Sequence, residues 1–153
     1  MNKFHSFGLG HIYKGHSYAF IYMIISKKFK TAYIGQTNEK GGVLGRINSH
    51  LKENGTFRTH FEDKIGFSID EIEDLSILSY NLGSEKIYTS LESSFREGVE
   101  YLVKKHLCEQ FSKNDIFIRI LGYTRSNSTT SLNEINNLSN DISNFFVEHT
   151  MKM

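Results

Sequence analysis

Two short segments with the composition of β-strands, joined by only four residues, constrain the fold of this chain most. Residues 17–25 and 31–37 are both rich in aromatic and β-branched side chains, which favour strands. The connection KKFK at residues 27–30 has the length of a hairpin turn. The sequence therefore predicts an antiparallel hairpin in which Tyr22 pairs with Gly35.

The predicted pairing brings two tyrosines onto one face of the hairpin. Tyr33 lies two residues from Gly35, so Tyr22 and Tyr33 become diagonal neighbours. A phenol can donate or accept a proton and can hold a water molecule in place. Gly35 leaves room for a close approach of substrate or backbone. A single strand tyrosine usually only covers a core, but the paired spacing beside a glycine favours a functional role.

A predicted amphipathic helix follows the hairpin over residues 43–53. Its apolar positions recur at every fourth residue and should pack on the sheet: Val43, Ile47 and Leu51. Arg46 and His50 are also four residues apart, on a different face of the same helix. An arginine offers a fork of donors suited to phosphate oxygens, and a histidine can relay a proton near neutral pH. A solvated helix face would explain this pair equally well if it stood alone.

The remainder of the chain predicts a small sheet flanked by helices. Residues 56–74 are mixed and acidic and favour no particular element. Further elements are expected as a strand at 75–82, a long helix at 89–111, a possible strand at 115–123 and a terminal helix at 132–149. The expected class is α/β (α+β), with a small, mainly antiparallel three-stranded sheet and a C-terminal helical extension.

The charge is distributed unevenly along the chain, although the net charge is only +1. Residues 1–60 contain nine Lys or Arg and two Glu, whereas residues 61–100 contain three basic and ten acidic residues. Such asymmetry can concentrate positive potential on one surface. Two ordinary solvated faces would also account for it, but the basic block contains the two tyrosines, Arg46 and His50. We therefore expect a surface that faces phosphate.

Composition restricts the class of protein. With 153 residues and 39% apolar side chains, the chain should form one folded domain. The single cysteine, Cys108, cannot form an internal disulfide or a zinc site by itself. The longest apolar run, residues 19–25, is too short to cross a bilayer, and the N-terminus lacks the apolar stretch of a signal peptide. We expect a soluble, cytoplasmic protein with no membrane partner.

The segment AFIYMIISKKFKTAYIGQTNEKGGVLGRINSHL, residues 19–51, resembles the GIY-YIG nuclease family. The resemblance consists of an Ile-Tyr strand, YIGQT, Arg-x-x-x-His and a later glutamate in a helix; Phe20 stands where the family has its first glycine. It implies the GIY-YIG fold and a metal-dependent DNA endonuclease. It also implies one nuclease domain over residues 1–153, with a core at about 17–114 and an extension at about 115–153.

The family pattern implies that a glutamate of the later helix binds the metal. Glu97 should be solvated, since it lies opposite the apolar stripe of the predicted helix. Glu100 borders that stripe and begins the run EYLVKK, which is similar to the family pattern, so it is the first choice. Glu92 is the rival, because it falls inside the predicted stripe, where an unused carboxylate is costly. Asn114 corresponds to a supporting asparagine of related enzymes.

The resemblance also implies the role of each remaining group. Tyr22 would be the general base on the attacking water, and His50 would help to take its proton. Tyr33 would orient water or phosphate, Arg46 would bind the phosphate, and Gly35 would support the site. The cofactor would be one Mg²⁺ or Mn²⁺ ion per active site. Basic side chains expected to contact DNA are Lys27, Lys28, Lys30, Lys40, Lys52 and Arg58.

The expected biological role is that of a stand-alone restriction or defence enzyme acting on DNA, which would be double-stranded. A homodimer is compatible with this expectation. Two alternatives stay open at this point. One is a structure-specific repair nuclease or a nuclease of a mobile element. The other is a catalytically silent module that only binds nucleic acid.

Overall fold

Four strands form a single mixed sheet in the computed structural model, which describes residues 17–153. The strands are β1 (Ala19–Ser26), β2 (Thr31–Thr37), β3 (Ser76–Gly83) and β4 (Arg119–Leu121), in the spatial order β3-β1-β2-β4. Strand β1 is antiparallel to β2 and β3, and β4 is parallel to β2. The predicted α+β class is confirmed. The sheet has four strands where three were expected, because the three-residue β4 adds to the outer edge of β2.

The hairpin has the predicted register. Tyr22 pairs with Gly35, and Ser26 pairs with Thr31 on either side of the four-residue turn. All eight residues of β1 are buried, because this central strand is covered on both faces of the sheet. The two faces therefore hold two separate apolar clusters.

Within residues 17–153, five α-helices accompany the sheet: α1 (Gly42–Leu51), α2 (Thr56–Ile65), α3 (Lys86–Thr89), α4 (Ser94–Lys113) and α5 (Asn133–Lys152). Short 3-10 turns occupy Ile69–Glu71 and Ser128–Ser131. Helix α2 lies where the sequence favoured no element. It buries only Phe57 and Phe61, too few apolar residues to give a helical pattern.

The long helix α4 begins five residues later than predicted. Leu91 fits the helical period of the predicted apolar stripe, but it is fully exposed and precedes the helix. The carboxylate of Glu92 accepts a hydrogen bond from the backbone N–H of Ser94 at 2.8 Å. This contact supplies a partner for one of the N–H groups that a helix start leaves unpaired, so the helix begins at Ser94.

Each face of the sheet has its own helical layer. Helices α4 and α5 cover one face, where Val103, Ile142 and Phe146 pack against the alternating side chains Ile21, Met23 and Ile25 of β1. Helices α1 and α2 cover the other face and enclose a second cluster with Phe20, Tyr22, Ile24 and Tyr33. Both tyrosines therefore face α1, as the register predicts.

Residues 1–16, which carry part of the predicted basic block and the start of the expected domain, lie outside the described residues. Within residues 17–153, no helix combines the length and the apolar character needed to cross a membrane.

Candidate active site

The centre of the candidate site is a buried hydrogen bond between β1 and α1. The hydroxyl of Tyr22 lies 2.6 Å from Nε2 of His50. Gly35 of β2 lies directly beneath the phenol, and a β-carbon there would collide with the Tyr22 oxygen. Glycine is therefore required at this register position for the tyrosine to reach the histidine.

Burial fixes the protonation of this pair. It raises the pKa of Tyr22 far above its ordinary value, and the neighbouring Tyr33 adds to the effect. Burial also lowers the pKa of His50 to about 4, and the positive charge of Arg46 adds to that shift. At neutral pH the phenol is protonated and the imidazole is neutral, so Tyr22 donates its proton to Nε2 of His50.

Tyr33 lies beside this pair. Its ring centroid is 5.0 Å from that of His50, in an edge-to-face arrangement. Burial raises the pKa of Tyr33 to about 12, and the negative charge of Glu100 contributes. The Nζ atom of Lys104 lies 5.8 Å from the Tyr33 ring centroid. Tyr33 therefore lies between His50 of α1 and Lys104 of α4.

The guanidinium of Arg46 forms only part of the hydrogen bonds that it can donate. Its Nη1 atom donates to Glu39 Oε1 at 2.9 Å. Its Nε atom is buried and has no hydrogen-bond partner within residues 17–153. A buried N–H without an acceptor is costly, so this group is available for an oxygen atom of a ligand. Its charge lowers the pKa of Tyr22, which shows that it faces the same centre.

Glu100 approaches the site from α4. Its Oε1 atom accepts hydrogen bonds from Nζ of Lys104 at 2.7 Å and from Oγ1 of Thr124 at 2.6 Å. Its side chain is only 13% exposed, and its charge raises the pKa of both Tyr22 and Tyr33. The sheet and two helices, α1 and α4, thus bring together five of the predicted residues: Tyr22, Tyr33, Arg46, His50 and Glu100.

The rival glutamate lies elsewhere. Glu92 was expected inside the apolar stripe, and that placement is wrong, because it precedes α4, is exposed and binds Ser94. Glu97 is exposed, as predicted. Asn114 is not brought to the site either. It ends α4, about 20 Å along the helix from Glu100 at ~1.5 Å per residue, and its side chain donates to the carbonyl of Gln110.

The six basic residues expected to contact DNA differ in their surroundings. Arg58 is held by Asp70 at 2.6 Å and by Glu62 at 3.2 Å, so its charge is already balanced. Lys27 donates to the carbonyl of Thr150 at 3.3 Å, and Lys28 lies 5.5 Å from the ring of Phe29. Three others are exposed and form no ion pair within residues 17–153: Lys30, Lys40 and Lys52.

Three residues of the site were missed by sequence reasoning. Lys104 stands four residues after Glu100, a spacing that favours an ion pair on a helix and could have revealed it. Thr124 comes from the segment after β4, 24 residues from Glu100, and no local pattern indicates it. Arg96 is buried, and its Nε donates to Gln36 at 2.8 Å. It thereby ties α4 to the residue that follows Gly35.

The comparison with protein families agrees with this geometry. The model of the GIY-YIG catalytic domain matches residues 18–105, which is more than half of the chain. The matched span includes the hairpin, α1 and the part of α4 that carries Glu100. No curated protein and no solved structure gives a significant match.

Proposed function

The chain belongs to the GIY-YIG nuclease family, and from this premise we propose that it is a divalent-metal-dependent endonuclease of the restriction or defence type, acting on double-stranded DNA. Family membership makes it an endonuclease that hydrolyses phosphodiester bonds, and nucleases of this family generally use divalent metal ions. The observation that carries the proposal is the buried 2.6 Å contact between Tyr22 and His50, next to the unpaired Nε of Arg46.

The proposed reaction begins with a proton relay. Tyr22 accepts a proton from the attacking water while its own proton moves to Nε2 of His50. The relay avoids a free phenolate, which is strongly disfavoured because burial raises the pKa of Tyr22. The water oxygen then bonds to phosphorus, and the bond from phosphorus to the leaving oxygen breaks. The side chain of Tyr22 is completely buried, so the relay requires that substrate and water enter together and open its surroundings.

Arg46 is proposed to hold the scissile phosphate. Its unpaired Nε needs an acceptor, and a phosphate oxygen is one that a guanidinium binds well. Electrostatic stabilisation of this kind increases as charge develops in the transition state. Tyr33, on the same face, would orient the phosphate or the water through its hydroxyl.

Glu100 is proposed to hold the metal ion, Mg²⁺ or Mn²⁺. No group of three or more potential metal ligands occurs within residues 17–153. The donor set nevertheless fits a hard ion, because Mg²⁺ is commonly held by one or two carboxylates together with water and substrate phosphate. The Oε1 atom of Glu100 already binds the ammonium group of Lys104 and the hydroxyl group of Thr124. When bound, the ion would supply positive charge to the phosphate and to the leaving oxygen.

We also propose that residues 17–114 and the extension 115–153 act as one nuclease domain. Support comes from the packing of α5, whose Ile135, Ile142 and Phe146 share one apolar cluster with β1 and α4. The segment after β4 reaches Glu100 through Thr124. Recognition elements for a restriction-type enzyme would then lie within this domain, directly beside the site.

Digestion of plasmid DNA with Mg²⁺, with Mn²⁺ and with a chelator tests the proposal. We expect discrete fragments with either metal ion and none with the chelator.

Glu100→Ala should abolish cleavage and leave DNA binding largely intact, because a metal ligand serves the transition state more than the ground state. Glu97→Ala, on the exposed side of the same helix, is the matched control and should cut normally. Cleavage that resists the chelator would remove the metal from the mechanism, and a smear would argue against a restriction enzyme.

A further inference from the structure

Tyr123 is exposed to solvent although both of its neighbours in the chain contact the candidate site. Its side chain is 83% exposed. The backbone of Gly122 lies against Tyr33, such that a β-carbon on this glycine would be 3.1 Å from Cε2 of the tyrosine. Thr124 donates to Glu100 at 2.6 Å. The backbone of Tyr123 is therefore held beside the proposed catalytic groups, and its ring does not pack in the apolar core.

Tyr123 lines two neighbouring cavities, and basic side chains line both. One has a volume of about 270 Å³ and is lined by His60, Lys64 and Arg119. The other has a volume of about 220 Å³ and is lined by Lys104 and Lys105. No Asp or Glu of residues 17–153 lines either cavity. Tyr123 is thus shared by two cavities that carry basic side chains.

Most of the basic side chains in these cavities form no ion pair with the described residues. Lys64, Lys105 and Arg119 are exposed, and none forms an ion pair with another described residue. Arg58, by contrast, is held by two carboxylates. Free cations beside an exposed aromatic ring are the combination with which proteins bind a nucleic-acid strand, because the cations neutralise phosphates and every base can stack on an aromatic face.

We propose that Tyr123, Lys64, Lys105 and Arg119 form a strand-binding surface beside the cut site. A base of the cut strand that is turned out of the double helix lies against the Tyr123 ring, and the phosphates flanking that base occupy the two cavities. That the bound strand is the one being cut rests on the proposed function. Binding of a strand to this surface does not depend on it. Arg119 lies in β4 and Tyr123 follows it, whereas Lys64 lies on α2 and Lys105 on α4. None of the three basic residues belongs to the basic set expected from the sequence.

The experiment measures binding without cleavage. A fluorescein-labelled DNA duplex with a single-stranded arm is titrated in the presence of a chelator, and its dissociation constant is read from fluorescence anisotropy. Tyr123→Ala should weaken binding roughly 5- to 100-fold, the range for loss of one base–aromatic stack. Tyr123→Phe keeps the ring and should change binding less than about twofold on the same grounds. Phe117→Ala is the matched control, because Phe117 is also highly exposed, at 77%, but does not line either cavity.

The salt dependence of binding tests the basic residues. Arg119→Ala and Lys64→Ala should each reduce the slope of log affinity against log salt by about 0.7 to 0.9, the contribution of one phosphate contact. Lys113→Ala, at the far end of α4, should leave the slope unchanged. Wild-type affinity in Tyr123→Ala would overturn the proposal, and so would a slope that falls in Lys52→Ala but not in Arg119→Ala. A wild-type chain that binds as described but does not cut would contradict the nuclease mechanism and leave this surface intact.

Discussion

Gly35 lies directly beneath the phenol of Tyr22, and this contact governs whether the tyrosine reaches His50. The two residues are paired across the β1–β2 ladder, and a β-carbon at Gly35 would overlap the tyrosine oxygen. Tyr22 and His50 are both buried between the sheet and α1, so neither side chain can move aside without disturbing the core.

Gly35→Ala should impair both cleavage and stability. The added methyl group displaces Tyr22, and overpacking of a tight core costs about 1 to 3 kcal/mol. Thermal unfolding and single-turnover cleavage measure the two effects. Gly45→Ala is the control, because Gly45 lies within α1 with open space around a β-carbon. That variant should be more stable by about 0.5 to 1 kcal/mol. Normal cleavage by Gly35→Ala would show that the site does not depend on this contact.

Tyr22→Phe should lower turnover by roughly a hundredfold or more, the scale expected for loss of a general base. The ring and its packing are kept, and only the oxygen bonded to His50 is removed. Single-turnover cleavage is the measurement, with thermal unfolding as the control for folding. Tyr80→Phe is a matched variant on β3, where the ring packs against Phe145 on the opposite face. A folded Tyr22→Phe protein that cuts at the wild-type rate would remove Tyr22 from the relay.

The stability of the fold should depend on pH through His50. Its pKa falls from the ordinary 6.5 to about 4 on folding, so between these values the unfolded state binds more protons than the folded state. The contribution of His50 is therefore complete above pH 6.5 and is lost as the pH falls toward 4. The full loss is about 3 kcal/mol. Chemical denaturation of wild type and His50→Asn across this range isolates the effect, and equal pH dependence in the two proteins would contradict it.

Lys104→Met should increase the affinity for Mn²⁺ several-fold. The ammonium of Lys104 binds the same oxygen of Glu100 that we propose as the metal ligand, so a metal ion has to compete with it. Isothermal titration of the DNA-free protein measures this directly. Lys105→Met removes the same charge from the next residue, which has no ion pair with Glu100, and serves as the control. Weaker Mn²⁺ binding in Lys104→Met would place the ion elsewhere.

Local patterns predicted the centre of the site well. A four-residue turn and the two-residue period of a strand are enough to set the hairpin register, and with it the shared face of Tyr22 and Tyr33. The spacing of Arg46 and His50 placed both on α1, and helical periodicity separated the largely buried Glu100 from the exposed Glu97. Each of these relationships spans only a few residues along one element or one turn.

Relationships that depend on tertiary structure were missed. The apolar stripe was extended to Leu91 because leucine there fits the helical period, but the chain is not yet helical at that point. Thr124 reaches Glu100 only because β4 adds to the edge of β2. Neither the parallel pairing of a three-residue strand nor the partner of a single threonine leaves a signal in the sequence.

The attachment of β4 by only three residue pairs has a consequence for how such a nuclease can diversify. Strand β1 pairs with β2 and with β3 along seven positions each without it, and the contact between Tyr22 and His50 does not pass through it. Substitutions along this edge can therefore accumulate while Gly122 and Thr124 are retained. In the arrangement that we propose, the strand-binding surface and the contact between Tyr22 and His50 depend on separate stretches of the same chain, so we expect that the first can change without rebuilding the second.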